Sequence, residues 1–295
     1  MSRGIVPFTT TDYSVPSCDG ETSLFIRQYH RGSPRVHFFL VHGALEYSGR
    51  YTDLINFWLR HYRDVVVTVF DHIGHGRSGG ARAYVESFRA YLDDFLIVGD
   101  FVQRKLEEKT ETFICAHSLG GLVTLTRLLD SAYGWPHPVR GLIFSSPCIR
   151  PRKFLGPVSE PVLRRLVGLS PRLHLPMLIR GKELTRDPER ANDFDTDTLI
   201  PTFMSVKMAA EVVEASHRIS GLSYYLKTRS LFLIAGADKV VDPESARLFA
   251  HGIDKQLTQM IYYPEHFHEL WNEIDRHEIF ETMRRWVDTQ LKESK

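Results

Sequence analysis

Short apolar runs separated by stretches of helical periodicity set the rhythm of the chain. Residues 65–70, Val-Val-Val-Thr-Val-Phe, form a continuous β-branched run, the signature of a strand buried on both faces of a parallel sheet. Residues 23–30 and 35–41 predict two earlier strands, the second rich in aromatic and β-branched side chains. Within residues 50–63, Leu54, Ile55, Trp58 and Leu59 recur at helical spacing, and residues 88–107 predict a second helix. Further strands are expected at 113–116, 139–145, 231–236 and 258–263, with an apolar helical stretch at 122–129. A last amphipathic helix over 272–291 carries Ile274, Ile279, Phe280, Met283, Trp286 and Val287. Strands alternating with helices predict an α/β architecture.

The rhythm breaks between 149 and 228, where no strand-like β-branched run is found before Ser230. Arg150, Arg152, Lys153, Arg164, Arg165, Arg172, Arg180 and Lys182 face only Glu160 between 150 and 182. Leu155, Val158, Val162, Leu163, Leu166, Val167, Leu173, Leu175, Met177, Leu178 and Ile179 are interleaved with them. Such a basic, apolar insertion has the composition of a surface helix that touches anionic lipid. The competing expectation is that its apolar face packs on the main domain while the arginines stay solvated.

Composition changes this picture little. Formal net charge is +1, which gives no reason to expect a nucleic-acid partner. Three cysteines, Cys18, Cys115 and Cys148, are too few for a disulfide framework, and Cys115 reads as a small buried hydrophobe. The first residues lack a long apolar core, and no run approaches the ~20 apolar residues a membrane span needs. The expectation is a reduced, cytoplasmic protein, peripherally membrane-associated at most.

Candidate chemistry centres on residues 112–121, Thr-Phe-Ile-Cys-Ala-His-Ser-Leu-Gly-Gly. A strand runs into Ser118 and a helix follows at once, the layout that presents a serine hydroxyl as a nucleophile. The turn demands small residues two before and two after the serine; these are Ala116 and Gly120, where the usual pattern has glycine at both. A serine nucleophile needs a base, and the base an orienting acid. Asp238 ends the strand at 231–236 and is the expected acid, whereas Asp242 before Pro243-Glu244 reads as a helix N-cap. For the base, His266 and His268 both follow the last strand, and spacing alone does not choose between them. The oxyanion donors expected are the backbone N–H groups of Leu119 and Ala44, with His42 and His117 structural.

Two other patterns compete. Gly74, Gly76 and Gly79 match a dinucleotide-binding G-x-G-x-x-G with Asp94 downstream, but residues 80–84 intervene before a helix begins, so a structural turn is preferred. His72, His75, His266 and His268 suggest metal ligands, yet none falls in a recognised ligand spacing, and no metal or organic cofactor is expected.

Taken together, these motifs resemble those of α/β-hydrolases of the monoacylglycerol lipase and lysophospholipase branch. His42-Gly43-Ala44 with Glu46, Ser48, Gly49, Arg50 and Tyr51 is similar to that branch's H-G-x-x-E-x-S-x-R-Y segment. Asp71 through Gly80 resembles its D-x-x-G-H-G-x-S-x-G turn, and residues 116–121 its G-H-S-M-G-G elbow. Arg186-Asp187-Pro188-Glu189 resembles a recurrent R-D-P-E stretch, and His268-Glu269-Leu270 with Asn272-Glu273 its H-E-x-x-N-E. The chain departs from the pattern at Ala116, Leu45 and Tyr47.

The resemblance implies a mostly parallel sheet flanked by helices, with core residues 1–148 and 229–295 and a helical cap at 149–228. It implies the catalytic set Ser118, Asp238 and His268, and it selects His268 over His266. The expected activity is release of a fatty acid from a monoacylglycerol or lysophospholipid, with the arginines of the cap near lipid aggregates or a phosphate-bearing head group. The substrate would be the partner; no protein partner is expected. An esterase or thioesterase for other acyl groups, and an idle fold that binds lipid, are the rival expectations.

Overall fold

The computed structural model describes residues 7–129, 135–152 and 159–293. Strands β1 (Thr9–Pro16), β2 (Ser23–Arg31) and β3 (Val36–Val41) lead to helix α1 (Thr52–His61) and strand β4 (Val65–Phe70). Helix α2 (Phe88–Gln103), strand β5 (Glu111–His117), helix α3 (Leu119–Leu129) and strand β6 (Gly141–Ser145) follow. The insertion then holds α4 (Glu160–Leu169), β7 (His174–Pro176), α5 (Gly181–Leu184), α6 (Pro188–Thr196), β8 (Phe203–Ser205) and α7 (Val206–Ile219). The core resumes with β9 (Ser230–Ala235), α8 (Pro243–His251), β10 (Thr258–Tyr263) and α9 (Arg276–Lys292).

Eight strands form one sheet in the order β1-β2-β4-β3-β5-β6-β9-β10. From β4 to β10 every neighbouring pair is parallel; β1 on β2 and β2 on β4 are antiparallel. Every residue of β3, β4, β6 and β9 is buried, as two-sided burial under helices requires. One face packs α2 and α3 around Phe39, Phe70, Tyr91 and Phe95; the other packs α1 and α9 around Phe38, Trp58, Phe113 and Phe280. Cys115 lies fully buried in β5, as its sequence context predicts.

Three differences from the sequence expectation have physical reasons. Strand β1 is an edge strand whose Thr-Thr-Thr-Asp residues stay exposed, so no apolar alternation marks it. The insertion does contain strands: β7 and β8 pair antiparallel over three residues each, too few for a pattern to register. The last helix starts at Arg276, because Leu270–Asn272 forms a separate 3-10 turn.

Within the insertion, α7 packs on α3 and α2, and α4 rides on α7. Leu163 and Ile179 are buried, whereas Val162, Leu169, Leu173 and Leu178 are exposed. Arg164, Arg165, Arg172, Arg180 and Lys182 all face solvent. Lys153, Leu155 and Val158 lie outside the described residues. Among the described residues no helix is long and apolar enough to cross a membrane.

Candidate active site

Strand β5 ends at His117 and α3 begins at Leu119, so Ser118 alone turns the chain, at φ 48°. Positive φ is uncommon for a residue with a side chain, and here backbone bonds on both sides hold it. The Ser118 N–H donates to the Ser145 carbonyl at 3.1 Å, and the Ser118 carbonyl accepts from the Cys148 N–H at 3.0 Å. A Cβ on Gly120 would stand 2.3 Å from the Val41 carbonyl oxygen, so only glycine lets the elbow cross β3 this closely. Two residues before the serine, Ala116 is fully buried opposite Val41 and Phe144, and its single methyl is accommodated.

The turn after β3 comes to the same place. A Cβ built on Gly43 would lie 3.1 Å from the Ser118 Cβ and 2.6 Å from Glu46 Oε1. Both flanks of Gly43 are pinned. Its N–H donates to Glu46 Oε1 at 2.6 Å, and its carbonyl accepts from His42 Nδ1–H at 2.7 Å. That tautomer follows from His42 Nε2, which accepts the His72 N–H at 2.9 Å. The trans peptide then aims the Ala44 N–H opposite to the held Gly43 carbonyl. Leu119 opens α3, where the first N–H groups have no acceptor within the helix. Leu119 adjoins Ser118 in sequence, and Ala44 lines the cavity that contains Ser118.

Asp238 follows β9 and stands against His268, which follows β10. Asp238 Oδ1 accepts the Val240 and Val241 N–H groups at 2.7 and 3.0 Å, and Oδ2 accepts from His268 Nδ1–H at 2.6 Å. With the proton on Nδ1, the lone pair of His268 Nε2 is left for a proton acceptor role. Burial disfavours the charged ring, but Asp238, aided by Glu269 and Glu46, outweighs it and raises the His268 pKa above its ordinary 6.5. The competing residues are engaged elsewhere. Asp242 caps α8 and pairs with Arg152 at 2.7 Å, and His266 Nε2 pairs with Asp275 at 2.9 Å.

One element of the site has no local sequence signal. Arg50 is buried between Glu46 Oε2, 3.5 Å from its Nε, and Glu269 Oε2, 2.5 Å from its Nη2. Glu46 lies two residues beyond Ala44, and Glu269 adjoins His268, so one guanidinium ties the oxyanion turn to the histidine loop. Asn272 Nδ2 donates to Glu269 at 2.8 Å and the Tyr51 hydroxyl to Glu46 at 2.6 Å. Burial, and then Glu269, push the Glu46 pKa up to about 7. The resemblance named these residues as motif positions; their common job is visible only where positions 219 apart in sequence meet.

Ser118, His268, His117, Ala44 and Leu45 line one cavity with Met177, Ile179, Leu184 and Phe194 from the insertion and Val240 from the core. The wall is thus largely apolar and the polar groups converge at one spot, as small-molecule sites commonly do. The base of the insertion is bonded to the histidine loop. Arg186 pairs with Glu273 at 2.9 Å and Asp275 at 3.1 Å, and the Glu269 N–H donates to the Leu184 carbonyl at 2.8 Å.

The glycine run forms a closed turn, with the Gly74 N–H on the Gly79 carbonyl at 2.8 Å and Arg82 donating to the carbonyls of Gly76, Ser78 and Gly80. No helix opens there until Phe88, and Asp94 Oδ1 is occupied by Ser17 and the Cys18 N–H at 2.7 Å each. His72 and His75 cluster with His42, away from His266 and His268. Among the described residues no group of three or more His, Cys, Asp or Glu is placed to hold a metal ion.

Comparison with known proteins agrees with this architecture. A family model described as serine aminopeptidase, S33, matches residues 32–275. Monoglyceride lipase of Rattus norvegicus is 26% identical over 294 residues, covering 97% of this chain and 93% of its own. Phospholipase YtpA of Bacillus subtilis is 26% identical, covering 85% and 95%. Among solved structures, the monoacylglycerol lipase of Paleococcus ferrophilus superposes with a TM-score of 0.77 at 24% identity, covering 90% of this chain and 99% of its own. A monoglyceride lipase variant from Saccharomyces cerevisiae gives 0.80 at 17% identity, covering 98% and 97%. At that identity the superpositions speak to the fold, which is the α/β-hydrolase fold.

Proposed function

The chain belongs to the serine aminopeptidase S33 family, and from that premise we propose that it is a serine carboxylic-ester hydrolase releasing a fatty acid from a monoacylglycerol or lysophospholipid. The observation that carries the reading is the 2.6 Å bond from His268 to Asp238 beside a cavity that also holds Ser118. His268 Nε2 takes the Ser118 hydroxyl proton as Oγ attacks the ester carbonyl, and Asp238 stabilises the imidazolium. The Ala44 and Leu119 N–H groups receive the oxyanion. Collapse expels the alcohol, which takes the proton from His268, and leaves the acyl group on Ser118. Water, deprotonated by the same ring, then releases the acid and restores the serine.

The substrate class is supported by the relatives' names and by the apolar side chains from the insertion that line the cavity. Residues 149–228 would act as a cap over the ester. Leu169, Leu173 and Leu178, exposed beside Arg165, Arg172 and Arg180, support contact between the cap and a lipid surface. A cytoplasmic location belongs to the same proposal.

The test is fatty-acid release from monoolein micelles by the native chain and by Ser118→Ala, with folding checked by thermal melting. Release is expected from the native chain and a fall of roughly 10⁶-fold in the variant. A folded variant that still releases oleate would remove Ser118 as nucleophile. Native protein that fails to release oleate from both monoolein and a monooleoyl lysophospholipid would remove the lipid ester as substrate.

A further inference from the structure

Leu45 is one of four residues other than glycine with positive φ among the described residues, at 56°, and it immediately follows Ala44, the oxyanion donor of the proposed mechanism. Leucine in the left-handed region is strained, because its Cβ crowds the backbone; glycine would make the same turn without strain. Strain of this kind persists where the surroundings hold it, and it gathers at functional sites. The side chain is not a solvent-exposed accident, since Leu45 is 2% exposed and packs in the core cluster. It also forms part of the wall of the cavity that contains Ser118.

Its location restricts what it can sense. The neighbouring Gly43 is so close to the nucleophile that a Cβ there would touch the Ser118 Cβ at 3.1 Å. In the mechanism proposed above, the Ala44 N–H receives the oxygen of the reacting carbonyl. Residue 45 therefore stands next to the carbonyl group itself, with its Cα about 3.8 Å from that of Ala44. For an ester bound in that way, bulk at this point would meet the acyl α-carbon or the alcohol carbon on the ester oxygen, and the far end of a long acyl chain would lie beyond its reach. Met177, Ile179, Leu184 and Phe194, which come from the insertion, line the rest of the apolar wall.

We propose that Leu45 is a specificity-determining residue that excludes esters branched at the acyl α-carbon or at the alcohol carbon bonded to the ester oxygen, so that unbranched acyl groups on primary alcohols are preferred. The inference rests on the ester-hydrolase reading above and refines its substrate class. It requires no new chemistry, only a steric wall whose removal admits one more methyl group.

The experiment compares the native chain with Leu45→Gly, Leu45→Ala and the volume-conserving Leu45→Met. Two matched pairs are used: para-nitrophenyl butyrate against isobutyrate for the acyl side, and primary against secondary monooleoylglycerol for the alcohol side. The kcat/KM ratio of branched to unbranched substrate is expected to rise about tenfold in Leu45→Gly and Leu45→Ala for at least one pair, on the scale of one group in a hydrophobic pocket. The pair that responds identifies the side Leu45 faces. Leu45→Met, unbranched at Cγ, is expected to fold and to raise the ratio less. Thermal melting identifies which variants are folded, and Leu45→Met decides the question if the smaller two are not. Ratios that stay within twofold of native in every folded variant, with native protein active, would overturn the role of Leu45 alone. Native protein inert on all four esters would overturn the hydrolase reading and this inference with it.

Discussion

Histidine, arginine and leucine occur both at the rim of the sheet and in the outer part of the insertion, and they do opposite things in the two places. At the rim, His42, His117 and His268 are buried and each has a bonded ring nitrogen; Arg50 is enclosed by two carboxylates; Leu45 is packed in a strained conformation. In the outer insertion, Arg164, Arg165 and Arg172 face water and Leu169 is 82% exposed. Burial turns a side chain into a component with one permitted position, because an unpaired charge or polar atom there has no solvent to fall back on. Exposure leaves the same side chain replaceable. The two regions should therefore answer to substitution on very different scales.

The largest contrast lies within the loop after β9. Asp238→Asn is expected to lower kcat by about 10⁴-fold, since the amide cannot hold the imidazole in the required tautomer. Asp242→Asn, four residues on, should keep kcat within about twofold and cost at most about 1 kcal/mol of stability as an altered N-cap. Steady-state kinetics on a soluble ester and a melting curve for each variant separate the two; a reversed order would make Asp242 the acid.

A graded effect, on stability rather than on turnover, is expected from acid. Burial depresses the pKa of His42 to about 4 and of His37 and His75 to about 3 from the ordinary 6.5. Below pH 6.5 the unfolded chain therefore binds protons that the folded chain refuses, so stability falls as the pH falls toward those values. The slope is about 1.4 kcal/mol per pH unit for each such histidine. Melting temperature measured from pH 7 to pH 4.5 should drop steadily, and a flat profile would mean that these rings are not held neutral. The least effect belongs to the outer surface. Arg165→Gln should weaken partition onto anionic vesicles by about fivefold, the worth of one interfacial cation. It should leave melting and hydrolysis of a soluble ester unchanged. Unaltered vesicle binding would place lipid contact elsewhere.

The sequence was legible where structure is local. Ser118 is announced by a strand, a turn and a helix within ten residues, and the buried run at 65–70 states its own two-sided burial. The His268–Asp238 pairing was legible only through resemblance, because His266 occupies the same loop and no periodicity governs loops. Strand β1 escaped notice because its polar residues are held by β2 rather than by a core. The Arg50 bridge could not be read at all as a bridge, since its partners are brought together only when β3 and β10 deliver their loops to the same edge.

The chain leaves the sheet at Ser145 and rejoins it at Ser230, in strands that lie side by side. Closing such an excursion has an entropic cost that rises only with the logarithm of its length, about 0.6 kcal/mol for each doubling. The excursion can therefore change in length at little entropic cost, provided that α7 keeps its packing on α2 and α3 and Arg186 its pairing with Glu273. The same excursion supplies Met177, Ile179, Leu184 and Phe194 to the cavity wall, so a change of length between those residues alters the shape of the cavity without lengthening or shortening a strand of the eight-stranded sheet.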